Sequence, residues 1–411
     1  MSGSPRVVAL DATPVEERVP SGVARLVGLA ARAGSPLVDR LVLVSRRPID
    51  FDRAFGRARA RAGTDGSAGT PDGPNPTIEN LVVRGRGPIA WWREGPLPRA
   101  LARERVDLFH SATTAVPMRG AFAVIATVHE LAWRRAPGAE PRWRGMRQRM
   151  RLRALPRRAS GVMVPSDATR DDLVAHVPSL SDRVRVVAPS VAEAFSPVAS
   201  GSDLEARDLA LRSSAGIAGE GYFVLLGSPR RKKDVGLAVS ALARLREPRP
   251  DLVIVGDVSS PSSRAARQEI ERRATDLGLS GGQSGTLHWA GRLSDEEAAA
   301  WMRGAIALVH CSRSEGFGFP PLEAMACGVP VVATRVGSVP EVVGDAAARV
   351  PAGDVPALAE AMATLRDEIE SARGERIGAG LARASRFSPE RFGRGLFELW
   401  CDAFARRETR R

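Results

Sequence analysis

Cysteine and long apolar runs are scarce in this chain. Its 411 residues contain three cysteines, Cys311, Cys327 and Cys401, which are odd in number and lack metal-ligand spacing, so neither a disulfide framework nor a zinc site is predicted. We therefore expect a protein of a reducing cytoplasm. No run reaches the ~18 apolar residues of a membrane span, and residues 7–10 are too few for the core of a signal peptide. An integral membrane protein is not expected.

Acidic residues are too few to balance the basic ones. The 60 lysines and arginines against 47 aspartates and glutamates leave a formal charge of +13, which suits a phosphate-bearing substrate, an anionic membrane surface or a nucleic acid. The chain has a single tyrosine and no recognised nucleic-acid motif, so stacking platforms for bases are poorly supplied. A non-catalytic protein that binds nucleic acid or another polyanion is kept as the alternative from a different class.

The chain is well supplied with short apolar runs that alternate with helical patterns. This alternation is typical of α/β proteins in which helices cover a parallel sheet. The pattern stops at a segment rich in Ser, Pro and Gly and then starts afresh, so we expect two doubly wound units in series. The predicted strands are residues 7–10, 41–45, 78–83, 108–110, 123–128, 161–165 and 184–187, followed by 222–226, 252–255, 287–289, 307–310, 329–333 and 348–350.

These patterns predict an N-terminal domain over residues 1–195, a C-terminal domain over 196–385 and a last helical segment over 386–411. In doubly wound sheets, ligands bind outside the carboxyl ends of the strands. Two such units facing each other would therefore bind a ligand in the cleft between them.

A basic turn follows the first predicted strand of the second half. Gly227 ends the apolar run, and Arg230, Arg231, Lys232 and Lys233 follow before an amphipathic helix begins near residue 234. Cations at a strand-to-helix turn, next to a helix N-terminus, favour an anion site. The alternative is a solvated basic turn.

The stretch "SEGFGFPPLEAMACG" combines acids, glycines and prolines after the strand at residues 307–310. Gly316 and Gly318 let the backbone approach a ligand closely, and two prolines then start a helix. Glu315 and Glu323 can accept hydrogen bonds from the vicinal hydroxyls of a sugar or a ribose. Taken singly, Glu315 fits an ordinary turn acid, and Glu323 fits an acid in the first turn of a helix.

These residues carry a resemblance to glycosyltransferase family 4, the retaining GT-B enzymes also called group 1 glycosyl transferases. Glu315 and Glu323 resemble the family's signature pair, and the similarity extends from residue 287 to residue 354. In the first half, "LDATPVEERVPSGVAR" resembles the family's glycine loop, and "ATVHELAWRRAPGAEPRW" resembles its His-Asp segment. The implied fold is GT-B, with two Rossmann-like domains facing each other across a cleft.

The resemblance implies that a hexose moves from a nucleotide diphosphate sugar to a glycan or lipid-linked acceptor, with mannose favoured as the sugar. The alternative within the fold is UDP-glucose or another hexose donor with a small soluble acceptor. No metal or other cofactor is implied. The implied catalytic residues are His129, Glu315 and Lys233, and the implied donor-binding residues are Gly22, Gly227, Lys232, Lys233, Glu315, Gly316, Phe317, Gly318 and Glu323.

Within that resemblance, Glu315 would bind hydroxyls of the donor sugar, Glu323 the ribose diol, and the two lysines the diphosphate. Two departures from the family pattern stand out. Asp234 follows the lysines where the family has Asn and brings an acid to the phosphate loop, and Glu130 follows His129 where Asp is usual. Asp50 and Asp52 imitate the Asp-x-Asp metal motif of another glycosyltransferase fold, but we expect the donor in the second half.

The acceptor is expected in the N-terminal domain, which contains a strongly basic segment at residues 142–158. Trp143, Met146 and Met150 recur there at helical spacing among eight arginines. This stripe either faces the core below a solvated basic face or lies on anionic lipid, where a lipid-linked acceptor would be found. We therefore expect a cytoplasmic protein, in peripheral contact with an anionic membrane if the stripe lies on lipid.

Overall fold

The computed structural model describes residues 4–16, 22–49, 78–85, 87–135, 142–214, 221–279 and 285–409. The Asp-x-Asp hypothesis for Asp50 and Asp52 falls outside these residues. None of the helices within the described ranges is both long and apolar enough to cross a bilayer.

The first half forms a parallel sheet of seven strands in the order β3-β2-β1-β4-β5-β6-β7. Its central strands are buried runs of Val, Leu, Ile and Ala, as expected for strands covered on both faces. The strands are β1 (Val7–Asp11), β2 (Arg40–Ser45), β3 (Ile78–Val82), β4 (Leu108–Ser111), β5 (Ala123–Thr127), β6 (Gly161–Val164) and β7 (Val184–Val186). The helices are α1 (Gly22–Gly34), α2 (Ile89–Glu94), α3 (Pro96–Arg103), α4 (Ala132–Arg135), α5 (Arg142–Arg158) and α6 (Asp167–His176).

The second half repeats the architecture with six parallel strands in the order β10-β9-β8-β11-β12-β13. The strands are β8 (Tyr222–Leu226), β9 (Asp251–Val255), β10 (Leu287–Gly291), β11 (Ala307–His310), β12 (Val331–Thr334) and β13 (Ala348–Val350). The helices are α7 (Asp203–Ser214), α8 (Val235–Leu242), α9 (Pro261–Asp276), α10 (Asp295–Arg303), α11 (Phe319–Ala326), α12 (Val339–Val343), α13 (Val355–Arg366) and α14 (Glu370–Ala384).

These two sheets confirm the predicted pair of doubly wound α/β units. Each predicted strand is present, with ends that differ by at most two residues. Two ends differ by two residues: β10 ends at Gly291 rather than at residue 289, and β12 begins at Val331 rather than at residue 329. Pro330 directly precedes this strand and has no N–H to donate to a ladder.

The last helix, α15 (Pro389–Glu408), returns to the first half and packs against α1, β5 and β6. Its buried side includes Phe392, Leu396 and Trp400. Trp400 lies against Gly34, where an added Cβ would fall 2.3 Å from the indole ring. At the proposed domain boundary, Phe195 packs with the core of the second half.

Candidate active site

A cleft of about 3040 Å³ separates the two halves at the carboxyl edges of their sheets. Loops from both sheets line it, as expected for the ligand position in doubly wound folds. All the candidate residues from the sequence border this cleft: Gly22, His129, Gly227, Lys232, Lys233, Glu315, Gly316, Phe317, Gly318 and Glu323.

Glu315 lies in the loop between β11 and α11 and is buried. Its Oε1 atom accepts a hydrogen bond from Ser312 Oγ at 2.6 Å and one from Lys233 Nζ at 2.5 Å. His310 Nε2 lies 3.4 Å from the same oxygen. Burial alone would raise the pKa of Glu315, but Lys233, His310 and Lys232 outweigh it and hold this pKa well below its ordinary value. The carboxylate is therefore ionised, and its Oε2 atom has no partner among the described residues.

Lys233 reaches Glu315 because the turn after β8 is tightly folded. Gly227 has a φ of 140°, and an added Cβ there would lie 3.2 Å from the Lys233 side chain. Lys232, the neighbouring residue, forms an ion pair with Glu130 of the first half. Glu130 thus brings a carboxylate to the second half's basic turn.

The sequence-based expectation that Asp234 brings an acid to the phosphate loop is wrong. Asp234 adopts a left-handed conformation with a φ of 43°. Its carboxylate accepts a hydrogen bond from Arg313 Nε at 2.7 Å, and it is absent from the lining of the cleft. The positive φ directs its side chain towards Arg313. The cations of the turn, including the exposed Arg230 and Arg231, line the cleft.

The glycine loop before α11 brings the backbone close to the other half. Gly318 caps the helix with a φ of 97°, in the left-handed region that favours glycine. Pro320 and Pro321 follow and carry no N–H. The amide donors at this turn are therefore those of Phe319 and of the loop at Gly316 to Gly318.

At Gly316 the backbones of the two halves come into close contact. The Gly316 carbonyl oxygen accepts hydrogen bonds from Ser166 Oγ at 2.7 Å and Thr169 Oγ1 at 3.3 Å, both near the start of α6. An added Cβ at Gly316 would fall 1.8 Å from the carbonyl oxygen of His129. Glu341 of α12 accepts from the first two amides of α6. The halves therefore meet at the loop that holds Glu315.

Glu323 lies in the first turns of α11 and is 1% exposed. Its Oε1 atom forms an ion pair with Arg25 of α1, whose guanidinium also pairs with Asp295 of α10. Its Oε2 atom is buried and lacks a hydrogen-bond partner in the described part of the chain. Burial raises the pKa of Glu323 to about 7 against the opposing charge of Arg25. Sequence reasoning missed Arg25, although it follows the glycine loop by three residues.

His129 follows β5 and lies beside the Glu315 loop. Its Nε2 atom donates to the carbonyl oxygen of Ala112 at 2.8 Å, which places a proton on Nε2. Burial lowers the pKa of His129, and the charge of Lys232 adds to that effect. The imidazole is therefore neutral, and its Nε2 atom is hydrogen-bonded to a residue of the same half of the chain.

The candidate site thus presents two carboxylates, each with one oxygen paired with a cation and one oxygen that accepts no hydrogen bond from the described residues. Glu315 is held by Lys233, and Glu323 is held by Arg25. Within the described residues, no group of three or more His, Cys, Asp or Glu side chains is arranged to hold a metal ion.

Comparisons with known proteins agree with the two-domain fold. The model of Glycosyltransferase Family 4 matches residues 21–195, and that of Glycosyl transferases group 1 matches residues 220–368. The O-antigen chain mannosyltransferase B of Escherichia coli is 28% identical over 290 residues, which are 69% of this chain and 71% of that protein. The D-inositol 3-phosphate glycosyltransferase of Saccharomonospora viridis is 30% identical over 319 residues, or 74% of this chain and 67% of that protein.

Two further D-inositol 3-phosphate glycosyltransferases are matched over only 50% and 43% of their own length. Among solved structures, that of the Anabaena protein HepE in complex with UDP-glucose aligns with a TM-score of 0.72. It is 20% identical, and the alignment covers 96% of this chain and 98% of that one. At this identity the likeness shows the fold, which is GT-B. The chain belongs to glycosyltransferase family 4 and is a glycosyltransferase of the GT-B fold.

Proposed function

We propose that this protein is a retaining hexosyltransferase that uses a nucleotide diphosphate sugar, with mannose the favoured sugar and a glycan or lipid-linked acceptor. The observation that carries the proposal is the contact between Lys233 Nζ and Glu315 Oε1, which is 2.5 Å long and lies between two residues that line the cleft. A cation for a phosphate and an acceptor for a sugar hydroxyl are side by side there. They match the two parts of a donor on either side of its scissile bond.

The donor would extend from this contact in two directions. Lys232, Lys233 and the amides of the loop at Gly316 to Gly318 would hold the diphosphate, and Gly22 would add backbone donors from the first half. The open oxygen of Glu315 would accept from the sugar. That of Glu323 would accept from the ribose diol, since an unsatisfied buried carboxylate oxygen strongly favours a hydroxyl partner.

Transfer breaks the bond between the anomeric carbon and the diphosphate oxygen and forms a bond from that carbon to the acceptor oxygen. Positive charge develops on the sugar and negative charge on the departing diphosphate, so the fixed lysines and amides stabilise the transition state. We assign the acceptor's proton to the leaving phosphate, on the face of attack. His129 would line this centre without acting as a base through Nε2, which is already donating to Ala112.

The lysines and amides supply the positive charge that a metal would otherwise bring, so the proposed reaction needs no metal. This part of the proposal is tested by assaying the protein after exhaustive treatment with EDTA. We expect full activity. Complete loss on chelation, restored by a divalent cation, would contradict it.

The identity of the donor is tested by thermal shift with GDP-mannose, UDP-glucose and UDP-N-acetylglucosamine, followed by product analysis. A ligand that binds only the folded state raises its stability by about 2.7 kcal/mol at 100 times its Kd. We expect one nucleotide sugar to raise the melting temperature and to give a product with the anomeric configuration of the donor. UDP-glucose is the second candidate, because HepE was solved with that ligand. If no nucleotide sugar binds or turns over, the proposal is wrong.

A further inference from the structure

Helix α5 (Arg142–Arg158) exposes its large apolar side chains. Trp143, Met146 and Met150 lie at i, i+3 and i+7, on one face of the helix, and are 58%, 59% and 67% exposed. The core side of the helix is formed by other residues, Leu152 and Leu155 among them. The sequence-based alternative in which this stripe faces the core is therefore wrong.

The exposed stripe lies within a helix whose only charged residues are eight arginines. Arg144, Arg147 and Arg151 share a second face beside the stripe, again at i, i+3 and i+7. Arg144 lines the cleft between the two halves. A row of positive charge therefore runs along the stripe from the mouth of the cleft.

A buried arginine of the adjacent helix α2 extends this row. Arg93 is only 8% exposed, and its side chain has no hydrogen bond or ion pair with any residue that the structure describes. The two acids whose charge reaches it are bound elsewhere: Asp11 accepts from Thr13, and Glu94 accepts from the amide of Met118 at 3.1 Å.

Arg93, Arg147 and Arg151 repel one another, and the charges of Asp11 and Glu94 offset only part of the effect on Arg93. Burial lowers the pKa of Arg93, and the charge of Arg147 lowers it further. Burial likewise lowers the pKa of Arg151, with Arg147 and Arg93 adding to the effect. A buried guanidinium that has no ion pair with the described residues is costly, so this cluster favours an added anion.

We propose that the stripe of α5 and the cluster of Arg93, Arg147 and Arg151 form a docking surface for an anionic lipid bilayer. Trp143, Met146 and Met150 would enter the boundary between headgroups and acyl chains, and the arginines would bind headgroup phosphates. A nucleic acid would match the charge but would leave the two methionines exposed to water. With Arg144 at the cleft, docking would place the mouth of the cleft at the lipid surface. This proposal does not depend on which nucleotide sugar is the donor.

The test is sedimentation of the full chain with vesicles of phosphatidylcholine alone and of phosphatidylcholine with phosphatidylglycerol. We expect binding only to the anionic vesicles. The triple variant Trp143→Ser, Met146→Ser, Met150→Ser should weaken it tenfold or more, since it removes the apolar contact. The double variant Arg147→Gln, Arg151→Gln should weaken binding to the anionic vesicles by about fivefold for each arginine that is removed.

Matched controls come from the second half of the chain. Leu209→Ser with Ile369→Ser removes apolar side chains that are 59% and 70% exposed, and Arg244→Gln with Arg335→Gln removes two exposed arginines. Neither control should change vesicle binding. The proposal is overturned if anionic vesicles are not bound, or if the serine variant binds them as well as the unchanged chain. It is also overturned if a nucleic acid competes fully with the vesicles while the stripe has no effect.

Discussion

Arg25 of the first half forms an ion pair with Glu323 of the second half, and the same guanidinium also pairs with Asp295. Two carboxylates from one half are therefore held by a single cation from the other. The pair occupies one oxygen of Glu323 and leaves the other buried without a partner. This arrangement fixes the orientation of the proposed ribose-binding carboxylate from across the cleft.

Replacement of Arg25 should weaken the binding of ribonucleotides in particular. In Arg25→Gln the carboxylate of Glu323 loses its charged partner, which is worth about 1.5–3 kcal/mol, or roughly a 10- to 150-fold loss in affinity. The measurement is titration calorimetry with the nucleoside diphosphate of the donor. The same nucleotide lacking both ribose hydroxyls serves as the control ligand.

The dideoxy nucleotide should bind the Arg25→Gln variant and the unchanged protein alike. Arg25→Lys should restore part of the ribonucleotide affinity, because a point charge replaces the fork of the guanidinium. An equal loss for both nucleotides would mean that Arg25 acts on the phosphates or on the fold instead. Should the unchanged protein bind neither nucleotide, the proposed function itself would be wrong.

Donor binding should weaken as the pH falls below 7. Glu323 is buried and its pKa is raised to about 7, with Arg25, Asp295 and Lys233 as the charged groups that face it. Above this pH it is ionised and accepts from both ribose hydroxyls, and below it the proton occupies an acceptor site. If only the ionised form binds, the KM for the nucleotide sugar should rise about tenfold from pH 8 to pH 6. Glu323→Gln should bind more weakly at pH 8 and show no such rise.

The two glutamates should give different kinetic effects. Glu315→Ala should abolish turnover, because it removes the proposed sugar contact and leaves Lys233 unpaired beside the scissile bond. Glu323→Ala should mainly raise the KM for the donor. Steady-state kinetics with the donor varied separates these outcomes, and wild-type activity in both variants would refute the assigned roles.

The C-terminal helix should stabilise the N-terminal sheet rather than the sheet that precedes it in the chain. Trp400 is fully buried, and its Nε1 atom donates to His110 Nδ1 at 3.1 Å. Trp400→Ala should cost about 3–5 kcal/mol in unfolding free energy, measured by urea denaturation. Hydrogen exchange should increase in β1, β4, β5 and β6 and stay unchanged in β8 to β13.

The control for this variant is Asp402→Ala in the same helix. It removes an ion pair to Arg185 between half-exposed side chains, which should cost less than about 1 kcal/mol. A uniform increase in exchange across both sheets of Trp400→Ala would contradict a local role for the helix.

Much of the fold was predictable because its signals are local. Short apolar runs such as residues 222–226 and 307–310 have the same bounds as β8 and β11, since a strand buried on both faces needs an unbroken apolar run. The basic turn at Lys232 and Lys233 and the loop at Glu315 were likewise visible as residue types at strand ends.

The contacts between the two halves were not predictable in this way. Arg25 and Glu323 are almost 300 positions apart in the chain, and Ser166 meets Gly316 across 150 positions. No local pattern reports such pairs, because they depend on how the two sheets face each other. The outward direction of Trp143 was also left open, since its helical spacing fits a core face or a solvent face equally well.

The sequence by itself determined the two parallel sheets, the position of the cleft residues along the chain and the excess of positive charge, because strand burial and turn chemistry act over a few residues. Only the tertiary structure decided which cation holds which carboxylate. Glu315 is held from within its own half by Lys233, and Glu323 is held by Arg25 from across the cleft. Ion pairs require atoms within about 4 Å, and the packing of the two halves alone brings Arg25 and Glu323 that close.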